Sequence, residues 1–332
     1  MLNVAKKYHI DINSSKYFFR IKIILGDISK PFFGIGEKQF GCLSKKIDVI
    51  YHLASHNNFV MPYSVLYPTN VFGCKEILRF ATTEKVIPIH YVSTLAIFSC
   101  IHFFKDVKKI DEFSNSTDSV NYLKYDIGYV QTKWVSDQLM QNASKNNIPI
   151  TIYRPGFVLC HSRTKAIADN QFWHNFISEC VKLGGYPGLV GQKEELVSVD
   201  FVCKSILHLS KLQESVGKIY HLCPRKGDNM DSIECFEKLS ELCENKMEQL
   251  PYAKWLKLVK EDFDIVGKDN KLFPFLSLLC DKAYKNLTVL ELYQNTPDCS
   301  GDYTAKILSE ADIFATPMND LLEHYSNYLL EL

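Results

Sequence analysis

Tyr129 and Lys133 are the residues whose types and spacing first suggest chemistry. Four apart in a segment of helical pattern, they share one helix face. An ammonium beside a phenol favours the phenolate and lowers the tyrosine pKa from about 10, a tenfold change in acidity being worth about 1.36 kcal/mol. The expected product is a proton donor usable near neutral pH. Tyr-x-x-x-Lys also arises by chance on many amphipathic helices, so the pair needs company. A hydroxyl pair, Ser93-Thr94, closes the apolar run before it and stands where it would bond a substrate oxygen.

The elements that would position these groups follow from the apolar pattern. Residues 20–25 form a short β-branched run ending at Gly26-Asp27, and residues 48–54 a second run ending in small residues. Residues 69–83 carry helical spacing through Val71, Ile77, Leu78 and Ala81. Residues 87–93 read as a strand, residues 129–144 as a helix, and residues 149–154 as a strand that stops at Pro155-Gly156. The runs are near-continuous rather than alternating, as in a parallel sheet covered on both faces. Small residues sit at their carboxyl ends, where open α/β sheets bind ligands. Residues 1–8 read as the end of a helix. From Asp231 onward the pattern is mostly helical, with candidates at 232–244, 252–262 and 272–286.

Composition bounds the partners. The 332 residues carry 38 Lys+Arg against 38 Asp+Glu, with 46% hydrophobic residues. That length suits one large domain or two modest ones. Zero formal charge argues against nucleic acid, which needs a basic face, and against a polybasic membrane anchor. The N-terminus lacks an apolar signal core. The most apolar long window, residues 87–104, is interrupted by His90, Ser93, Thr94, Ser99 and His102, so no membrane span is expected. Eleven scattered cysteines show neither C-x-x-C nor zinc-ligand spacing, which fits reduced thiols in a cytoplasmic protein. Four N-x-[ST] sites read as chance in an Asn-rich chain.

The order strand, hydroxyl, long loop, Tyr-x-x-x-Lys helix, strand with Pro-Gly is that of short-chain dehydrogenases. More specifically, the chain resembles the thioester reductase domains that terminate non-ribosomal peptide synthetases, aminoadipate reductases and carboxylic acid reductases, an extended short-chain dehydrogenase family grouped with the "male sterility" fatty acyl reductases. The resemblance rests on Gly26-Asp-Ile-Ser-Lys-Pro31 with Phe33-Gly34, Ile47-Asp-Val-Ile-Tyr-His52, Asn58-Phe-Val-x-Pro-Tyr-Ser64 and Asn70-Val-Phe-Gly73. It continues through His90-Tyr-Val-Ser-Thr94, Gly128-Tyr-Val-Gln-Thr-Lys-Trp-Val135, Ile152-Tyr-Arg-Pro-Gly156, Ser198-Val-Asp-Phe-Val202 and Leu250-Pro-Tyr-x-x-Trp255. It spans about residues 6–280.

The resemblance implies a Rossmann-like, doubly wound α/β domain over residues 1–160, to which 198–224 return, and a smaller, mostly helical substrate cap from 161–197 and 225–332. It implies Thr94, Tyr129 and Lys133 as catalytic groups. For the cofactor, NADPH, it implies Asp27 and Ile28 at the adenine, and Leu53, Ala54 and Ser55 at the ribose and phosphates. Lys133 would hold the nicotinamide ribose, with Pro155, Gly156 and Val158 flanking the nicotinamide. Asn70 would support a proton relay, or serve as a helix N-cap. The implied reaction is NADPH-dependent reduction of an acyl thioester, held on a carrier protein's phosphopantetheine, to an aldehyde. Two alternatives remain: another extended short-chain dehydrogenase, such as a fatty acyl-CoA reductase, and a non-catalytic remnant or binding module unable to hold the cofactor.

One family feature is missing. A reductase of this fold opens with a strand and a glycine-rich turn that seats the pyrophosphate at a helix N-terminus. Gly34-Ile-Gly36 lacks the third glycine and lies in a loop after Pro31. The expectation is therefore a domain without its first two strands and intervening helix, through a gene-model error, gene splitting or decay. Residues 21–25 would then have no native neighbour, and residues 49–53 would present an unpaired edge.

Overall fold

Four of the apolar runs pair as a parallel sheet. In the computed structural model, which describes residue 5 and residues 19–164, 166–168 and 171–330, these are β1 (Ile50–His52), β2 (Ile89–Val92), β3 (Ile150–Pro155) and β4 (Ile219–Leu222), in that spatial order. Register is in step across the sheet: Ile50 opposes Ile89, Ile89 opposes Ile150, and Ile152 opposes Ile219. The helix end expected over residues 1–8 lies outside the described residues except for Ala5.

One sheet face is covered by α1 (Glu37–Ser44), α2 (Gly73–Thr82) and α3 (Gly128–Lys145). Ile50, Ile89, Ile150 and Ile152 meet Phe40, Ile77, Phe80 and Met140 there in one buried cluster. The other face carries a row of rings. Tyr51 stacks on His90 at 4.9 Å, His90 Nδ1 lies 3.0 Å from Tyr153 Oη, and Tyr153 stacks on Tyr220 at 6.0 Å. Such cross-strand pairs are the unit of sheet stabilisation. The β4 end of this face is covered by Phe201, Val202 and Ile206 and by Leu308 and Ala315.

The β1 end is bare. Among the described residues β2 is the sole neighbour of β1, and Val49, Tyr51 and Leu53 are 40%, 42% and 61% exposed. The strand expected over 20–25 does not form. Residues 21–27 adopt no regular element, with Ile23 62% and Leu25 88% exposed. A strand needs a neighbour for its backbone groups, and none of the described residues supplies one. β1 itself is three residues long.

After β3 the chain builds a larger cluster from α4 (Phe172–Leu183), α6 (Ser232–Leu242), α7 (Tyr252–Val266) and α9 (Met318–Leu330), with α5 (Val199–Leu209) and α8 (Asp302–Ser309) interspersed along the chain. Trp173, Phe176, Phe236, Trp255 and Tyr325 form its centre, and Ile127 and Val130 from the start of α3 join it. α5 and α8 pack instead on the sheet. The helix expected over 272–286 breaks into a 3₁₀ turn, Phe273–Phe275, a short helix, Leu276–Cys280, and a hairpin of Lys282–Tyr284 with Leu287–Thr288. Pro274 enters the turn at its start, and Lys285 turns the hairpin at φ 51°.

Candidate active site

Thr94 follows the carboxyl end of β2, and Tyr129 and Lys133 stand in the first two turns of α3, from which Lys133 reaches the β2 backbone. Thr94 follows β2 and caps the 3₁₀ turn Leu95–Phe98, its Oγ1 accepting from the Ala96 N–H at 3.2 Å. Its own O–H has no acceptor among the described residues and can donate. α3 reaches the site because Gly128 lets it press against residues 61–63. A Cβ there would stand 2.5 Å from Met61 O and 2.6 Å from Tyr63 N.

Lys133 is buried, and its Nζ donates to Tyr91 Oη at 2.9 Å and to the Val92 carbonyl at 2.8 Å. Burial lowers its pKa to about 8, opposed by Cys74 and Asp137. The sequence expectation that Lys133 lowers the Tyr129 pKa is corrected here. The ammonium spends its hydrogen bonds on Tyr91 and the β2 backbone, and burial pushes Tyr129 up to about 12. Tyr129 is a neutral phenol whose hydroxyl makes no hydrogen bond among the described residues, with Phe59 packed on its ring at 5.8 Å.

Beneath these groups lies a charged bolt that the sequence reading missed. Asp137, one turn beyond Lys133, accepts from Arg154 Nε at 3.0 Å and Nη2 at 2.8 Å, and from Ser93 Oγ at 2.5 Å. Asp137 and Arg154 are 0% and 1% exposed. Burial alone would raise Asp137, but the Arg154 charge and these hydrogen bonds hold it below the usual carboxylate range. The bolt joins the residue before Thr94, the helix of Tyr129 and Lys133, and the residue before Pro155. Its sequence signal was available: Asp137 sits at i+4 from Lys133, and Arg154 stands inside the Tyr-Arg-Pro-Gly motif.

Asn70 is fully engaged but is not an N-cap. It lies in a π-helical turn, Pro68–Phe72, inside a helix that runs on from Tyr63–Tyr67 into α2. Its Oδ1 accepts from His56 N at 2.7 Å and Ser55 Oγ at 3.2 Å, and its Nδ2 donates to Thr132 Oγ1 at 2.9 Å. Ser136 Oγ donates to the Asn70 carbonyl at 2.7 Å. The wide turn thus ties the loop after β1 to α3, a frequent use of π-bulges at functional sites.

The remaining candidates divide. Pro155 ends β3, buried; Gly156 follows, and Val158 pairs beside Val197. Gly156 is required by protein rather than ligand, since a Cβ would meet the Glu195 carbonyl at 2.1 Å. Asp27 accepts from Ser29 N and Oγ at 3.0 and 2.6 Å, which lowers its pKa and fixes a turn. Ile28 seats on Gly73, where a Cβ would stand 2.9 Å from Ile28 Cγ1. Leu53, Ala54 and Ser55 line the bare end of β1 and are exposed. For a nicotinamide dinucleotide the residues therefore fit one end. Lys133 and Pro155 stand at the carboxyl ends of β2 and β3, where open α/β sheets bind ligands, while no glycine-rich turn among the described residues faces Ser55 to hold a pyrophosphate.

A family model described as male sterility protein, of NAD-binding type, matches residues 2–206, and the chain belongs to that family. It is 30% identical to the aldehyde reductase lnaA of Aspergillus flavus over 98% of this chain and 32% of the relative. It is also 30% identical to the nonribosomal peptide synthetase asaC of the same organism over 93% of this chain and 30% of the relative. The chain thus spans about a third of the length of these curated relatives. Among solved structures, the terminal R domain from the myxalamid PKS-NRPS biosynthetic pathway superposes with a TM-score of 0.82 at 29% identity, over 98% of this chain and 78% of that one. Among the described residues no helix is long and apolar enough to cross a membrane.

Proposed function

We propose that this chain reduces an acyl thioester, carried on the phosphopantetheine arm of a carrier protein, to an aldehyde, with NADPH as the reductant. The observation that supports the reading is that Lys133 Nζ reaches the β2 backbone two residues before Thr94, with Tyr129 one turn earlier on α3, in a chain 29% identical to a terminal R domain. The chain's own groups act on the carbonyl oxygen. With its pKa near 12, Tyr129 stays protonated at neutral pH and donates its O–H to that oxygen. Thr94 offers a second O–H, since its lone pair already holds the Ala96 N–H. Two such donors stabilise the charge that develops on the oxygen. Lys133, mostly protonated below pH 8, holds Tyr91 and the β2 end in place and presents a positive charge beneath the site. A nicotinamide supplies a hydride when bound; the pyrophosphate half of that site has no counterpart among the described residues. The cap segments 161–197 and 225–332 would take the acyl chain. The eleven free cysteines support a reducing, cytoplasmic setting.

The exposed Leu53, Ala54 and Ser55 favour a second reading, a carrier-binding module without turnover. The test is octanoyl-pantetheine with NADPH, followed by absorbance and by product analysis. Octanal formation, reduced at least 100-fold in Tyr129→Phe, supports reduction. NADPH binding that cannot be detected at millimolar concentration, with octanoyl-pantetheine still bound, decides for the second reading.

A further inference from the structure

A cavity of about 780 Å³ lies apart from Thr94, Tyr129 and Lys133, and none of the candidate active-site residues lines it. Its size suits a small-molecule ligand. It opens at the carboxyl end of β4, between the segment that follows that strand and the helix α8. The two come together closely because residue 301 is glycine: a Cβ there would stand 2.7 Å from the His221 carbonyl and 3.0 Å from Cys223 Sγ.

The walls have two chemistries. Phe201, Leu308, Ile313, Phe314 and Ala315 give one apolar side, and Phe314 at the mouth is 51% exposed. The other side is cationic. Lys193, Arg225, Lys226 and Lys306 line it, and none of them makes an ion pair with a described carboxylate. The Arg225 guanidinium instead lies over the Phe314 ring, 4.9 Å from its centroid, at the seam between the two sides. Of the two carboxylates in the wall, Asp302 is paired with Lys109 at 3.5 Å and also feels the Lys226 charge, so the wall holds Lys109, Lys193, Arg225, Lys226 and Lys306 against Asp298 and Asp302. Two wall side chains also leave buried polar atoms without a partner among the described residues, His221 Nε2 and Asn229 Oδ1. Buried polar atoms are ordinarily satisfied.

We propose that this cavity is a binding site for an amphipathic small-molecule anion, with a phosphate or carboxylate head on Arg225 and Lys226 and an apolar body against Phe201, Leu308, Ile313 and Phe314. Unpaired cations favour an oxyanion, Arg225 through its planar fork. The apolar side excludes a bare inorganic ion as the preferred occupant. The site is independent of the reaction proposed above and stands whether or not Tyr129 acts on a carbonyl.

Isothermal titration of the full chain with n-octyl phosphate, octanoate, n-octanol and inorganic phosphate tests it. The expected result is saturable one-site binding of octyl phosphate or octanoate, at least tenfold tighter than either octanol or inorganic phosphate. The double variant Arg225→Ala/Lys226→Ala should weaken it at least tenfold, with an unchanged circular dichroism spectrum. A control variant on α7, Lys254→Ala/Lys257→Ala, should bind as the parent does. Octanol binding as tightly as octyl phosphate, or affinity unchanged in the Arg225/Lys226 variant, overturns the proposal. Free 4′-phosphopantetheine separates the sources: tighter binding than octyl phosphate assigns the site to a carrier arm, weaker binding to a free amphipathic anion.

Discussion

Lys133 sets the chemistry of its surroundings by being costly to bury. Its pKa falls to about 8 from an ordinary 10.5 because the ammonium loses water, while its hydrogen bonds to Tyr91 and Val92 recover part of that loss. The sign of the pH dependence follows. Between these two values the unfolded chain binds more protons than the folded one, so stability rises with pH. The destabilising charge is fully present below pH 8 and relieved above it. Between pH 8 and 10 the parent protein should gain about 2 kcal/mol over Lys133→Met. Urea unfolding at the two pH values measures this, and equal gains for both proteins would contradict the buried-ammonium account. Above pH 10 Tyr91 and Tyr129, both raised by burial, begin to oppose the trend.

At the scale of elements, the Asp137–Arg154 pair does what no single strand or helix does. It fastens α3 to the end of β3 and, through Ser93, to the end of β2. Removing one partner leaves the other charge buried, which typically costs about 3–5 kcal/mol. Asp137→Ala and Arg154→Met should each lose that much in urea unfolding. The double variant should lose less than the sum, because no orphan charge remains. Single losses below about 1 kcal/mol would mean that water reaches the pair. Since Asp137 is held below the usual carboxylate range, its contribution is present at neutral pH and is lost as acid protonates it.

The whole molecule is asymmetric. On the β4 side the sheet is closed by α5 and α8, and the segment leading into α3 is held where Tyr293 Oη donates to Asp126 Oδ1 at 2.6 Å. Among the described residues, the β1 side presents an edge strand and exposed apolar side chains. Such an edge is a template for pairing with another chain. The chain should therefore self-associate as concentration rises, and Tyr51→Lys/Leu53→Lys should remain monomeric in sedimentation velocity over the same range. Equal association by both would place the contact elsewhere.

The candidate residues and the sheet were legible in local pattern. Tyr129, Lys133 and Thr94 were marked by helical spacing and by a strand ending in hydroxyls, and the parallel sheet by near-continuous apolar runs. These signals are local, because periodicity and short motifs need only neighbours in the chain. The failures were long-range. An apolar run at 20–25 becomes a strand only where a neighbour exists to bond its backbone. Lys133 meets Tyr91, not Tyr129, because a side chain's partner is set by packing across 42 residues. Asn70 forgoes capping for a three-way tie, and Gly156 is small because Glu195 crosses it. The sequence by itself marked the candidate residues and the segments that form the sheet. Tertiary structure alone decided which groups share a charge, which edge is left open and where a cavity apart from the active site lies, since burial and electrostatics depend on distances that no linear spacing encodes.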